Sequence, residues 1–178
     1  MQNSNILAVA SDKLEMLNWK VIYVQSRYEF KAEQQFKKLC INYYLHTTQV
    51  SKVWSDRIKK QTISAFPSYI SVHNDTWDCN DVFQAKGVMY YVRQYNQDAI
   101  LSDAEMNLIQ TSGPWIVPST LQSIPRQKGQ KVKIIEGLLG GYSGILVNYF
   151  GKKNVQLKLE NMSLRFLVKM PLEYPQMI

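Results

Sequence analysis

Apolar and polar residues first alternate regularly at Asn18–Gln25, NWKVIYVQ. Trp19, Val21 and Tyr23 fall on one face and Lys20, Ile22 and Val24 on the other. A strand apolar on nearly both faces belongs at the centre of a sheet, with a helix layer on one side. Residues 1–17 before it read as a polar tail. Ser26-Arg27-Tyr28-Glu29 has the spacing of a capping box, which predicts a helix start. Ala32, Phe36, Leu39, Cys40 and Tyr43 then form one apolar stripe, while Glu33 and Lys37 make an i,i+4 pair on the opposite side. Tyr44–Trp54 reads as a strand and Ser55-Asp56 as a turn. The return strand starts at Arg57–Lys60 and runs through Thr62 and Ile63 into Ala65–Val72, AFPSYISV.

Pro67 has no amide hydrogen to donate, so it fits only a strand start, a bulge or an edge. Tyr69, Ser71 and His73 follow on one face, with Ile70 and Val72 on the other as the expected core. The Phe66 and Tyr69 rings either cap that core or form a contact surface for another protein, since aromatic side chains anchor such interfaces. In Asn74–Ala85, Asp78 or Asn80 is placed to cap a short helix carrying Val82, Phe83 and Ala85. Gly87–Tyr95 is a further strand, with Val88, Tyr90 and Val92 opposite Met89, Tyr91 and Arg93. Ser102-Asp103-Ala104-Glu105 repeats the capping-box spacing and opens a helix bearing Met106 and Ile109. This order of elements predicts a compact α+β sandwich.

From Thr111 to Gly129 the chain turns rich in Gly, Pro and Ser and carries no Asp or Glu, as a linker does; Trp115, Ile116 and Leu121 indicate that part of it packs. Beyond Gly129 everything reads as strand and turn: GQKVKII, ILVNYF, NVQLKLE around Gly151-Lys152-Lys153, and SLRFLVKMP. About five short strands in about fifty residues bury a core only by curling into a small barrel. Gly137, Gly140, Gly141 and Gly144 cluster between the first two strands. A phosphate-binding glycine loop opens a helix, whereas this cluster leads into another strand, so the glycines are read as tight turns and bulges.

The 178 residues leave room for one average domain or two small ones. Charge sharpens the division. Residues 1–125 hold 12 Lys and Arg against 11 Asp and Glu, and residues 126–178 hold 9 against 3, so nearly all of the net +7 lies in the last third. Such asymmetry suits a second module facing RNA, DNA or an acidic protein, or simply a well-solvated barrel. Lys52, Arg57, Lys59 and Lys60 tip the hairpin, as a solvated edge or as a contact to a phosphate backbone. No stretch is long and apolar enough for a transmembrane helix, and Ile6–Ala10 is too short for a signal-peptide core, so no membrane association and a cytoplasmic protein are expected. Cys40 and Cys79 form no CxxC, and His46 and His73 show no ligand spacing, so reduced structural thiols and surface imidazoles are expected and no metal or cofactor. The carboxylates are scattered and no nucleophile has a base beside it, which leaves an enzyme using Asp78 and Asp81 or Cys40 without support.

WKVIYVQSRYEFKAEQQFKKL, WSDRIKK, FPSYISV, GVMYYVR and SDAEM together resemble, in order and spacing, the N-terminal domain of NusG-like transcription elongation factors. GQKVKIIEGLLGGYSGIL resembles the KOW motif that follows it in that family. The resemblance covers residues 18 to roughly 160 and divides the chain into a tail (1–17), a NusG-like domain (18–111), a linker (112–126) and a KOW domain (127–178). It implies an antiparallel sheet with packed helices followed by a small SH3-like KOW β-barrel. Within the family the chain looks most like the specialised RfaH and UpxY type, which relieve premature termination in long operons for surface or capsular polysaccharides.

The resemblance further implies a monomer, not an enzyme, that docks on the clamp helices of RNA polymerase through Tyr23, Phe66, Pro67, Tyr69 and Tyr91, with Arg27 beside them. Arg57–Lys60 and the Asn74–Asn80 loop would lie near the polymerase gate or non-template DNA, and nascent RNA is a further candidate. The KOW domain would meet a small-subunit ribosomal protein, the termination factor Rho, or both. Leu138-Leu139 stand after Gly137 where housekeeping members have Pro-Phe, Ser68 stands for Gly, and His46 replaces a frequent Pro. The first two departures favour a specialised factor that does not assist Rho. The alternatives are a housekeeping factor that supports Rho, and an RNA- or ribosome-binding KOW protein with an unrelated partner domain.

Overall fold

The computed structural model describes residues 19–53, 57–73, 80–117, 129–149, 152–159, 164–169 and 175–177. In chain order the elements are β1 (Trp19–Val24), α1 (Glu29–Lys38), β2 (Asn42–Tyr44), β3 (Thr47–Val53), β4 (Ile58–Ser64), β5 (Tyr69–His73), a 3₁₀ turn (Asp81–Gln84), β6 (Val88–Tyr91), β7 (Arg93–Gln94), β8 (Gln97–Asp98), β9 (Ile100–Leu101), α2 (Asp103–Ser112), a second 3₁₀ turn (Gly113–Trp115), β10 (Gln130–Ile134), β11 (Ser143–Tyr149), β12 (Lys152–Leu159), β13 (Leu164–Val168) and β14 (Pro175–Met177). The fold is sheet-rich, with antiparallel pairing and two α-helices among the described residues. It divides into two compact units, one from the chain up to Leu45 with Ser68–Asp103, the other from His46–Pro67 with Ala104–Ile178. The basic hairpin β3–β4 is thus grouped with the C-terminal strands.

In the first unit the strand order is β2-β5-β1-β6, with β9 also pairing β1. β1 is central, as its two apolar faces require. Ile22, Val24, Ile70 and Val72 point from the sheet into a buried cluster with Ala32 and Phe36 of α1, Val82 and Ala85. Each of the Val, Ile and Phe side chains contributes roughly 1.5–3 kcal/mol on burial. The Glu33–Lys37 pair forms at 3.0 Å, and Tyr43 Oη donates to Glu33 Oε1 at 3.0 Å. The Glu33 hydrogen bond holds the Lys37 ammonium above its ordinary pKa. Burial, then Glu33, raises the Tyr43 phenol.

Three sequence expectations change here. Tyr28, not Ser26, occupies the N-cap of α1, and no side chain caps it; the Glu29 carboxylate instead accepts the backbone N–H of Ser68 at 2.7 Å. The helix ends earlier than the stripe implied: Cys40 is left-handed at φ 55°, and Leu39 and Cys40 are exposed. The strand expected over Gly87–Tyr95 stops at Tyr91, and Tyr95 and Asn96, with φ 51° and 68°, make the two-residue turn of the β7–β8 hairpin.

The second unit contains the β3–β4 hairpin, α2 and a five-stranded antiparallel sheet of order β13-β12-β11-β10-β14. The strand read over Tyr44–Trp54 is broken, because Leu45 and His46 lie between β2 and β3. Val132, Ile134, Val155, Leu157, Leu159, Phe166 and Val168 are buried. Part of the linker packs as expected: Ile116 bridges to Val168, Val117 N–H donates to Leu167 O at 2.9 Å, and Lys169 N–H donates to Trp115 O at 2.8 Å. Leu121 and the Ser55-Asp56 turn lie outside the described residues.

Candidate macromolecular contact surface

On the sheet face away from α1, β5, β1 and β6 place three tyrosines in line. Tyr23 is the register partner of both Tyr69 and Tyr90. Its ring meets Tyr69 edge-on at 5.5 Å and 82°, and lies parallel to Tyr90 at 5.0 Å and 5°. Tyr23 and Tyr69 are half-buried, and Tyr90 is 52% exposed. Three rings presented this way are the amphipathic, low-entropy groups that protein contacts use.

Tyr91 is not among them. A bulge between Tyr23 and Val24 pairs Ile22 with Tyr91, Tyr23 with Tyr90 and Val24 with Val88, which makes Met89 the extra residue of β6. Tyr91 and Val88 therefore both pack on the buried cluster. Simple alternation along Gly87–Tyr95 put Tyr90 and Tyr91 on faces correctly relative to each other, but gave no sign of which one would join Tyr23. The signal was the Tyr90-Tyr91 pair itself, which guarantees one ring on each face.

Phe66 and Tyr69 part company as well. Phe66 is only 2% exposed in the second unit, where its ring meets Phe166 at 5.4 Å and 68° and His46 at 5.1 Å. Ser64 Oγ donates to its carbonyl at 2.9 Å. The ring is a packed group here, not a rim-exposed one. Pro67 is half-buried, and Arg27 is exposed on a left-handed backbone at φ 66°. Ser68 is left-handed too, at φ 70°, a conformation that favours Gly. Burial of the His46 imidazole lowers its pKa from 6.5 to about 3, so it is neutral at physiological pH.

Along the basic hairpin, Arg57, Lys59 and Lys60 are exposed. The register sets Lys59 opposite Lys52, and Val53 opposite Ile58, the latter two 81% and 69% exposed. Asn80 occupies the N-cap of the Asp81–Gln84 turn without a side-chain capping bond, while Asn74–Cys79, with Asp78, lie outside the described residues. In the second unit Gly137 and Gly141 form the turn before β11, at φ 77° and 95°. Gly144 is required for a different reason. It lies within β11, where a Cβ would come within 2.7 Å of Gln156 O and 2.5 Å of a Val155 methyl. Among the described residues no cluster of three or more His, Cys, Asp or Glu could hold a metal ion, and no helix is long and apolar enough to cross a membrane.

Among solved structures, NusG of Thermotoga maritima, described under "Domain interaction in Thermotoga maritima NusG", aligns with a TM-score of 0.57 at 17% identity, covering 90% of this chain and 97% of that one. The MjSpt4:Spt5 complex aligns in conformation A at TM-score 0.30 and 14% identity, covering 90% of this chain and 97% of that one. No curated protein matches the sequence. The family described as "Transcription termination factor nusG" matches residues 17–110, more than half of the 178. Together with the antiparallel sheet and helix arrangement described above, that match shows that the chain belongs to the NusG family of transcription factors.

Proposed function

We propose that this chain is a non-enzymatic antitermination and elongation factor of the RfaH and UpxY type, which binds the clamp helices of RNA polymerase and promotes processive transcription of long operons such as those for surface or capsular polysaccharides. The observation that carries this reading is the Tyr69–Tyr23–Tyr90 row on the face of the first sheet away from α1. Desolvating rings of this kind against a pair of helices supplies most of the affinity at many interfaces. Arg27, Pro67 and Phe66 belong to the same contact by resemblance. Phe66 must then be uncovered from Phe166 before it can take part. Residues 127–178 form the SH3-like KOW barrel in this reading. Leu138, 74% exposed on its first turn, stands where housekeeping members differ, and a small-subunit ribosomal protein is the expected partner.

The test is transcription by purified bacterial RNA polymerase through a Rho-dependent terminator, with the chain and with a Tyr23→Ala, Tyr69→Ala double variant. Increased readthrough that the variant loses is the expected result. Enhanced termination would instead identify a housekeeping factor that supports Rho. Absence of any effect, with RNA binding by the full chain that falls steeply with salt, would identify an RNA- or ribosome-binding KOW protein.

A further inference from the structure

The positive charge of the last third of the chain has a definite place in the second unit. Strands β10 to β14 contain no Asp or Glu, and their register gathers cations on one side of the sheet. Val132, Ile134, Val155, Leu157, Phe166 and Val168 lie on the other side and are buried. On the cationic side the pairs Lys131–Ile145, Ile145–Gln156 and Gln156–Leu167 make one row across β10, β11, β12 and β13. Two residues along each strand comes a second row, with Lys133 paired to Ser143 and Lys158 to Arg165. Lys133, Ser143 and Lys158 are exposed and Arg165 is half-buried.

Charge, spacing and an unused amide narrow the occupant. Like charges directly opposite each other, as at Lys158 and Arg165, destabilise a sheet, and an anion between them removes the penalty. Neither row holds an aromatic ring, so a nucleobase has nothing to stack on. In the first row Leu167 packs with Val147 and Val117, whereas Ile145 is only half-buried. Gln156 between them is 3% exposed, and neither its Oε1 nor its Nε2 has a hydrogen-bond partner among the described residues. An amide left so gains from any rotation that brings it a partner, and a peptide backbone supplies both a donor and an acceptor. The two rows are about 6.6 Å apart along the strands, which is also the distance between side chains i and i+2 of an extended peptide. An acidic side chain over the second row therefore sets the side chain two positions on over Ile145 and Gln156.

We propose that this face of β10 to β13 binds an extended acidic segment of a partner protein, with a carboxylate between Lys158 and Arg165, a second on Lys133, and an aliphatic side chain on Ile145. The contact uses neither the tyrosine row nor the Leu138 turn, and its test does not require polymerase. The probe is a labelled peptide of about ten residues in which Glu alternates with Val, the i, i+2 pattern the two rows require. It is titrated with the full chain by fluorescence anisotropy at two salt concentrations, beside the same peptide with Gln for Glu and a single-stranded RNA of similar length. The Glu peptide is expected to bind roughly tenfold more tightly than the Gln peptide, and to weaken as salt rises. Lys158→Gln and Arg165→Gln are each expected to weaken it by roughly two- to fivefold. Lys153→Gln removes the same charge from an exposed position on the face of Val155 and is expected to leave binding unchanged. Ile145→Thr, which keeps a β-branched side chain in β11, is expected to weaken binding by roughly two- to fivefold. Amide chemical shifts of the isotope-labelled, unaltered chain should move with the Glu peptide at β12 and β13, a readout independent of how any variant folds.

Equal binding of the Glu and Gln peptides, an equal loss in Lys153→Gln and Lys158→Gln, or shifts confined to the first unit or to the turn at Leu138 would each overturn the proposal. So would the absence of binding, or RNA that binds more tightly than the Glu peptide and moves the same β12 and β13 amides, which would make this face a phosphate-backbone surface instead.

Discussion

Among the described residues, His46 is the one whose pKa departs furthest from its ordinary value. Its ring is 3% exposed against Phe66, and burial alone lowers its pKa from 6.5 to about 3. Between those two values the unfolded chain binds a proton at His46 that the folded chain does not. Stability is therefore complete above pH 6.5 and falls as the pH drops toward about 3, by up to about 1.4 kcal/mol per pH unit. Thermal unfolding followed from about pH 7.5 to about pH 5 should show a steeper loss for the native chain than for His46→Phe, in which nothing titrates at this position. Parallel losses would mean that the imidazole is protonated in the fold. The expectation of a surface imidazole is corrected here, because what buries His46 includes Phe66, which local sequence around the histidine does not contain.

Among the elements, the junction of α1 with the turn before β5 is held by a buried carboxylate. Glu29, 6% exposed, accepts the Ser68 N–H at 2.7 Å, and the Ser68 carbonyl accepts Val24 N–H at 2.8 Å, so a helix start, a left-handed turn and the end of β1 are held together. Glu29→Ala removes the acceptor of a buried amide and is expected to lower stability by about 1–3 kcal/mol, while Glu29→Gln keeps a carbonyl oxygen there and recovers most of it. Thermal melts of the two variants decide: equal losses would show that the contact anchors nothing. The S-x-x-E spacing did mark the helix start to within a few residues. It named the wrong partner because a local pattern cannot contain an amide 39 positions away. β1 was legible for the opposite reason, since a central strand is apolar on both faces and carries its environment in its own composition. The bulge at Met89 was not, because it is a mismatch between two strands and belongs to neither sequence alone.

For the whole molecule, the ordered blocks from WKVIYV to SDAEM carried the family. What they could not carry was the state of Phe66. Its neighbour Phe166 lies 100 positions further on, and the ring pair exists only once β13 is in place. If polymerase docks through Phe66 as proposed, that pair opposes docking by the energy of one edge-on aromatic contact, about 0.5–1.5 kcal/mol. Phe166→Leu keeps an apolar, though smaller, side chain at the site but removes the ring, so it is expected to tighten polymerase binding by roughly two- to tenfold, and Phe66→Ala to weaken it in either background. Both are read by retention of the full chain on immobilised polymerase. Unchanged retention in Phe166→Leu, with loss in Tyr23→Ala, would confine the contact to the tyrosine row and leave Phe66 as a core residue. Tighter retention would instead make the burial of Phe66 a setting on the protein's affinity, which whatever displaces β13 could change.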